Sequence, residues 1–319
     1  MTVDSDAPVF ASPVDIGTYG PYGPGRVVED ARGWQRPRYP FQGRITADGS
    51  SGHRAEPGRY HVWAAWSCGW AQRVAIVRKL KGLEEVITLS YVDDERDGRG
   101  WAFRERRGPD PVRGFRLLLE AYEATEPGYA GHISTPVLWD RRTGRIVSNH
   151  FDGITADLCT AFDAWAVPGV ELRPESLRRE IDELNAYLYE NVNDAVYRVD
   201  GASTQAAYES SRQRVCRALE ELDTRLADRR YLLGDVVREP DVRLWPTLAR
   251  FDLAYNPVGG ICRGGLRDFP NLWAYARDLY RLPAFRDTTD FDTYRMSPPP
   301  ERADSVRHIA VDPVEPDWL

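Results

Sequence analysis

Cysteine is scarce in this sequence, and the four that occur lie far apart, at Cys68, Cys159, Cys216 and Cys262. They form neither CxxC pairs nor metal-ligand spacings with the five histidines. Zinc sites need several cysteine or histidine ligands at short, regular spacings. We therefore predict no structural zinc and no other bound metal.

Long apolar runs and an excess of positive charge are also lacking. No run approaches the roughly 20 apolar residues of a membrane helix, and the N-terminus lacks the basic and apolar segments of a secretion signal. The 42 basic and 49 acidic residues give a net charge of −7, which argues against nucleic acid or an anionic membrane as partners. We expect a cytoplasmic protein that acts on small molecules.

The first half has the pattern of an α/β domain. Residues 1–57, rich in glycine, proline and tyrosine, predict an irregular N-terminal extension. Within residues 58–160, a strand at 60–66 precedes a helix that Gly82 would end, a second strand in "EVITLSYV", and paired strands in "STPVLWDRRTGRIVSN". Strand, helix, strand and hairpin in this order predict a thioredoxin-like domain.

The second half has the pattern of an all-helical domain, placed at residues 165–292. Apolar residues recur at helical spacing from Leu177 to Leu188, and "PDVRLWPTLARFDLAY" and "NLWAYARDLYRL" indicate further helices. Residues 293–319 carry the proline cluster "SPPP" and should form an extended tail. The predicted fold class is α/β plus all-α.

Cys68, in "AAWSCGWAQR", directly precedes the first predicted helix. A buried, inert cysteine is the ordinary alternative. At a helix N-terminus, however, unpaired backbone N–H groups and the helix dipole favour the reactive thiolate. Because Ala71 occupies the place of a second cysteine, an external thiol would have to resolve any mixed disulfide. We assign the other three cysteines to packing.

Thr135 and Pro136 open a predicted strand. In a thioredoxin-like domain such a proline is commonly cis, which exposes the backbone N–H and C=O of the preceding residue to a peptide-like ligand. An ordinary edge-strand proline is the alternative.

Several blocks resemble the Xi class of glutathione transferases, the glutathionyl-hydroquinone reductases: "CGWAQRVAIVRKLKGLEEVI", "GWAF", "TPVLWDRRTGRIVSN" and "DVRLWPTLARFDLAY". The resemblance covers about residues 59–292. It implies a thioredoxin-like, thiol-binding domain followed by a helical, substrate-binding glutathione-transferase domain, usually as a homodimer. By this resemblance Cys68 is the nucleophile that attacks the sulfur of a glutathionyl hydroquinone, and a second glutathione frees it.

The resemblance also assigns aromatic residues. Tyr189 and Tyr255 match two tyrosines that line the acceptor pocket and hydrogen-bond or protonate the quinone oxygen, and Trp101 matches a tryptophan beside the glutathione. Core packing is the alternative for each aromatic.

The departures from the family concentrate on the groups that recognise glutathione. His150 and Phe151 replace a Glu-Ser pair, and His132 replaces an arginine. Gly69 follows Cys68 where the family has proline, and Gly259 and Gly260 replace Phe-Lys. Our candidates for binding the thiol cofactor are Trp101, His132, Thr135, Pro136, His150 and Phe151. Charged contacts to glutathione would be lost at the three substituted positions among them, so we hypothesise another low-molecular-weight thiol.

The chain is rich in arginine and has only two lysines, Lys79 and Lys81, which suggests a GC-rich genome. If that genome is actinobacterial, mycothiol is the leading candidate. The predicted reaction is reductive cleavage of thioether or mixed-disulfide conjugates of an aromatic, quinone-like compound. Two alternatives remain open: a transferase that conjugates a thiol to an electrophile in specialised metabolism, and a non-catalytic binding protein with a decayed glutathione site.

Overall fold

A computed structural model describes residues 8–22, 36–295, 306–315 and 317–319. The chain divides into two compact units. The first comprises Met1–Val27 and Pro37–Pro168, and the second comprises Val28–Arg36 and Gly169–Leu319. The limits predicted above for the extension, the two domains and the tail stay predictions.

The first unit is built on a four-stranded sheet. Its elements, in chain order, are α1 (Ile16–Tyr19), β1 (Ile45–Thr46), β2 (His53–Arg54), β3 (Tyr60–Ala64), α2 (Gly69–Leu80), β4 (Thr88–Tyr91), α3 (Leu119–Thr125), β5 (Val137–Asp140), β6 (Arg145–Ser148) and α4 (Phe151–Thr160). The sheet order is β4-β3-β5-β6, with β3 parallel to β4 and the other two pairs antiparallel. This confirms the predicted thioredoxin-like domain.

Every residue of the central strand β3 is buried, which explains its uninterrupted run of large side chains. His61 is the polar member of that run. Its ring nitrogens lie 2.7 Å from Thr88 Oγ1 and 2.9 Å from Ser90 Oγ on β4. Burial lowers the pKa of His61 to about 3, so the ring is neutral and both nitrogens are partnered.

The first long helix, α2, begins and ends where the sequence predicts. Cys68 is its N-cap residue, and the helix stops at Leu80, two residues before Gly82, whose φ is +64°. Lys81 follows the helix and is fully buried, yet its Nζ donates to the carbonyl of Cys159, at 2.7 Å, and to the carboxylate of Asp163. These bonds join the end of α2 to the end of α4.

The second unit is helical, as predicted. Its helices are α5 (Arg178–Leu188), α6 (Ala195–Asp200), α7 (Gln205–Arg225), α8 (Glu239–Arg250), α9 (Asn256–Gly259), α10 (Pro270–Arg281), α11 (Pro283–Arg286) and α12 (Phe291–Arg295). Two π-helical turns, Tyr189–Asn193 and Phe251–Tyr255, follow α5 and α8. In the predicted tail, 306–315 and 317–319 contain neither helix nor strand, and "SPPP" lies outside the described residues.

Buried Asp241 fixes the start of α8. Its Oδ2 accepts from the backbone N–H of Arg238 at 2.7 Å. Its Oδ1 accepts from the backbone N–H of Leu232 at 3.0 Å and from the hydroxyl of Tyr275 at 2.8 Å. Burial nevertheless raises the pKa of Asp241 to about 6. One side chain thus joins α8, the loop before it and α10.

Among the described ranges, no helix combines the length and apolarity needed to cross a membrane.

Candidate functional site

Cys68 occupies the junction between β3 and α2. Its backbone is extended, with φ −84° and ψ 106°, and its carbonyl accepts the N–H of Gln72 at 3.0 Å, which starts the helix. The side chain is half-buried against the core of the first unit and makes no capping hydrogen bond. The sulfur is therefore located beside the first turn of α2, where the sequence places it, and is not sealed inside the core.

Strand pairing brings Cys68 and Thr135 together. β3 and β5 are antiparallel with Trp63 opposite Val137, so the chain leaving β3 and the chain entering β5 meet at one end of the sheet. Cys68 Sγ donates to the carbonyl oxygen of Thr135 at 3.4 Å, within the range for sulfur donors. The Thr135–Pro136 peptide is cis, as predicted.

The side chain of Thr135 has an unusual environment. The residue is only 6 % exposed. Its Oγ1 is buried and has no hydrogen-bond partner within the described part of the chain. Since buried hydroxyl groups are nearly always paired, this oxygen is a donor and acceptor that a ligand beside Cys68 could use.

A hydrogen-bond network holds the segment that carries Thr135. The hydroxyl of Tyr122, on α3, donates to the carbonyl of Ser134 at 3.0 Å and accepts from the N–H of Ser134 at 3.1 Å. The Asn149 side-chain amide donates to the same hydroxyl at 3.3 Å. Burial raises the pKa of Tyr122 to about 12, so the hydroxyl keeps its proton. Sequence reasoning missed this residue, because nothing in the chain marks it among 16 tyrosines.

His150 and Phe151 form the start of α4, where His150 caps the helix and Phe151 packs against α2. His150 is the N-cap residue, and its Nδ1 accepts from the N–H of Gly153 at 3.3 Å. Phe151 is 3 % exposed, and its ring centroid lies 4.2 Å from that of Trp70 on α2. The guanidinium of Arg73 lies 4.4 Å from the Trp70 centroid and 5.6 Å from that of Phe151. Neither position offers a carboxylate or a hydroxyl group.

Trp101 and His132 also belong to the first unit. Trp101 is buried in the same apolar cluster against which Cys68 packs, and the Arg96 guanidinium lies 4.1 Å from its ring centroid. His132 is partly exposed, and its carbonyl accepts from the hydroxyl of Tyr129 at 3.0 Å.

Tyr189 and Tyr255 lie in the second unit, each at one limit of a π-helical turn. Such turns are rare and occur often at functional sites. Tyr255 is 9 % exposed, and its hydroxyl lies 2.9 Å from that of Tyr197, a residue that sequence reasoning missed. Burial raises the pKa of Tyr255 well above its usual range, so the phenol is protonated at neutral pH. Tyr189 is partly exposed.

Gly260 lies directly after α9, in a conformation that favours glycine. Its φ is +59°, and a Cβ at this position would meet the carbonyl oxygen of Ile309 at 2.2 Å. A lysine could not replace it without moving backbone.

The described residues contain no group of three or more His, Cys, Asp or Glu side chains placed to hold a metal ion.

Comparison with known proteins identifies the family. The protein-family model "Glutathione S-transferase, C-terminal domain" matches residues 205–278 of this sequence. Glutathionyl-hydroquinone reductase YqjG of Escherichia coli is 36% identical over 82% of this chain and 83% of its own. Its glutathione-bound structure has a TM-score of 0.77, at 37% identity, over 80% of this chain and 86% of that one.

Two further relatives agree. Glutathionyl-hydroquinone reductase PcpF of Sphingobium chlorophenolicum is 42% identical over 70% of this chain and 72% of its own. A glutathione transferase of Gordonia bronchialis is 44% identical, with a TM-score of 0.77, over 81% of this chain and 80% of that one. The chain is therefore an enzyme of the Xi class of glutathione transferases, the family of the glutathionyl-hydroquinone reductases.

Proposed function

We propose that the enzyme uses Cys68 to cleave thiol conjugates, thioethers or mixed disulfides, of an aromatic, quinone-like compound by reduction. The observation that carries this proposal is the position of the sulfur. It is half-buried at the first turn of α2, and its thiol donates a hydrogen bond to the carbonyl of Thr135, the residue before cis Pro136. The similarity to two hydroquinone reductases supports the substrate class.

The proposed reaction has two steps. The thiolate of Cys68 attacks the thioether sulfur of the conjugate, the bond from that sulfur to the aromatic ring breaks, and the ring carbon takes up a proton as the hydroquinone leaves. Cys68 is then joined to the cofactor thiol in a mixed disulfide. A second cofactor thiol attacks this disulfide, which frees Cys68 and releases the oxidised, dimeric cofactor. The two electrons that reduce the conjugate thus come from two cofactor thiols.

Thr135 and Pro136 are proposed to position the cofactor thiol. The Thr135 carbonyl, which accepts the Cys68 thiol, lies beside the attacking atom. The unpaired Thr135 Oγ1 adds a hydrogen-bonding group at the same place. Trp101, His132, His150 and Phe151 are proposed as further groups that bind the thiol. Their mixture of aromatic rings and imidazoles favours a ligand with less charge than glutathione.

Tyr255 and Tyr189 are proposed to act on the acceptor oxygen. Because Tyr255 holds its proton at neutral pH, it can donate a hydrogen bond to a quinone or phenolate oxygen. The hydroxyl of Tyr197, 2.9 Å away, would orient that proton.

We propose mycothiol, in place of glutathione, as the cofactor thiol. Nδ1 of His150 already accepts a backbone N–H, and Phe151 is buried under Trp70 and Arg73. Each charged hydrogen bond to glutathione that is missing costs about 1.5–3 kcal/mol, or roughly a factor of 10–100 in affinity. The proposed homodimer, cytoplasmic location and absence of nucleic-acid and membrane partners follow the family resemblance and the charge balance.

The first prediction concerns Cys68→Ser. We expect the release of hydroquinone from its thiol conjugates to fall by at least about 10³-fold, because a serine hydroxyl is a far weaker nucleophile than a thiolate. The measurement is steady-state product formation by liquid chromatography. Cys159→Ala is the matched control and should keep its activity, since Cys159 is buried on α4.

Unchanged cleavage in Cys68→Ser would contradict the role of Cys68. Lost cleavage together with persistent addition of a thiol to an electrophile would favour the conjugating transferase instead.

The second prediction concerns Tyr255→Phe. Loss of a proton donor should reduce kcat by about 10- to 100-fold, while the rate at which iodoacetamide alkylates Cys68 stays the same. Tyr280→Phe is a suitable control, because Tyr280 packs its ring against Trp245 and Trp318. Equal kcat values for Tyr255→Phe and Tyr280→Phe would exclude the proposed role.

The third prediction concerns the cofactor. Isothermal titration of the Cys68→Ser protein should show mycothiol binding at least about tenfold more tightly than glutathione, since two charged contacts to glutathione are missing. The serine prevents thiol exchange during the titration. Glutathione binding that equals or exceeds mycothiol binding would refute the choice of cofactor and leave the role of Cys68 intact.

A further inference from the structure

Cys216 and Cys262 lie side by side in the second unit. Cys216 is on α7, and Cys262 is in the loop between α9 and the 3₁₀ turn at Gly265–Asp268. Their Sγ atoms are 3.1 Å apart, and both are free thiols. The sulfurs of a disulfide are about 2.05 Å apart. A movement of about 1 Å would therefore join them.

The loop holds Cys262 in place through its backbone. The Asn256 side chain accepts the N–H of Cys262 at 2.7 Å and donates to its carbonyl at 2.8 Å. Asn256 is buried, so water does not compete for these two bonds. The position of the Cys262 thiol is thus defined by the fold.

The neighbouring carbonyl attaches the loop to α7. The oxygen of Ile261 accepts from Cys216 Sγ at 3.1 Å and from Arg212 Nη1 at 3.3 Å. Arg212 and Cys216 are one helical turn apart on α7. Helix and loop are therefore bonded at the point where the two thiols meet.

The two thiols have different acidities. The hydrogen bond with Cys262, followed by the positive charge of Arg212, lowers the pKa of Cys216 against the opposing effects of burial and of Glu220. The same hydrogen bond, together with burial, raises the pKa of Cys262. Cys216 is thus the more acidic thiol of the pair.

A small reagent can reach the pair. Both cysteines line a cavity of about 670 Å³, together with Arg212, Glu220, Arg263 and Asp268. Cys216 is partly exposed, whereas Cys262 is only 9 % exposed. A reagent that enters the cavity therefore meets the more acidic thiol first.

We propose that Cys216 and Cys262 are a second thiol site, independent of Cys68, which a hydroperoxide oxidises to an intramolecular disulfide. The geometry that supports this is the 3.1 Å contact between two sulfurs whose backbones are held by Asn256 and Ile261. The disulfide ties α7 to the loop between α9 and the 3₁₀ turn at Gly265–Asp268.

The oxidation balances with a single hydroperoxide. The thiolate of Cys216 attacks one peroxide oxygen, the O–O bond breaks, and the departing oxygen takes up a proton and leaves as water or an alcohol. Cys216 becomes a sulfenic acid. Cys262 then attacks the sulfenic sulfur, the S–O bond breaks, and water leaves with the proton of Cys262. The two thiols supply both electrons, and two molecules of a low-molecular-weight thiol restore them.

The experiment uses the full-length Cys68→Ser protein, which has three cysteines left, and one equivalent of hydrogen peroxide. After denaturation we expect one titratable thiol, an intact mass lower by two hydrogen atoms, and a non-reduced peptide that joins Cys216 to Cys262. Because the parent protein carries this test, it does not depend on further variants folding. Retention of all three thiols, or a linkage to Cys159 or to a second molecule, would overturn the proposal.

Two single substitutions in the same background assign the roles. In Cys262→Ala, dimedone should trap a sulfenic acid on Cys216, because no thiol is left to displace it. In Cys216→Ala, oxidation of Cys262 should be at least about tenfold slower, because Cys262 is only 9 % exposed and burial still favours its protonated thiol, which is a poor nucleophile. Equal oxidation rates for the two variants would contradict the assignment of Cys216 as the attacking thiol.

Discussion

The contact between Cys68 Sγ and the carbonyl of Thr135 is the constraint on which the site depends. One end of it is fixed by the start of α2 and the other by the register of β3 with β5. The Tyr122 hydroxyl hydrogen-bonds to Ser134 and Asn149, and it thereby holds the segment that carries Thr135. The Cys68 sulfur, the N-terminus of α2 and the carbonyl group of Thr135 therefore occur together because of the sheet topology.

Changes in thiol recognition need not disturb this contact. His150 and Phe151, the positions proposed above to change thiol recognition, belong to the start of α4. There one caps the helix, and the other packs on Trp70 beneath Arg73. The packing of Phe151 and Trp70 joins the first turns of α4 and α2, so Phe151 makes apolar contacts between two helices. The contact between Cys68 and Thr135 does not involve these two positions, so the proposed change of cofactor would leave it in place.

Local signals made the thioredoxin-like order, the limits of α2 and the cis Thr135–Pro136 peptide predictable from sequence. Residues that act through tertiary contacts were not predictable. Tyr122 reaches Ser134 across 12 positions, Tyr197 reaches Tyr255 across 58, and Cys216 reaches Cys262 across 46. The last two cysteines are assigned to packing because neither directly precedes a predicted helix, and this local pattern contains no information about a loop that folds back onto α7. The π-helical turns were missed for a similar reason, because helical periodicity does not distinguish them from α-helix.

The most direct test of the central claim is to identify the covalent intermediate. The wild-type enzyme is mixed with a hydroquinone thioether in the absence of free thiol, quenched with acid and analysed by peptide mass spectrometry. We predict one equivalent of released hydroquinone and a mixed disulfide with the cofactor thiol on the peptide that contains Cys68. Release of hydroquinone without any adduct, or an adduct on Cys159, Cys216 or Cys262 in its place, would contradict the account.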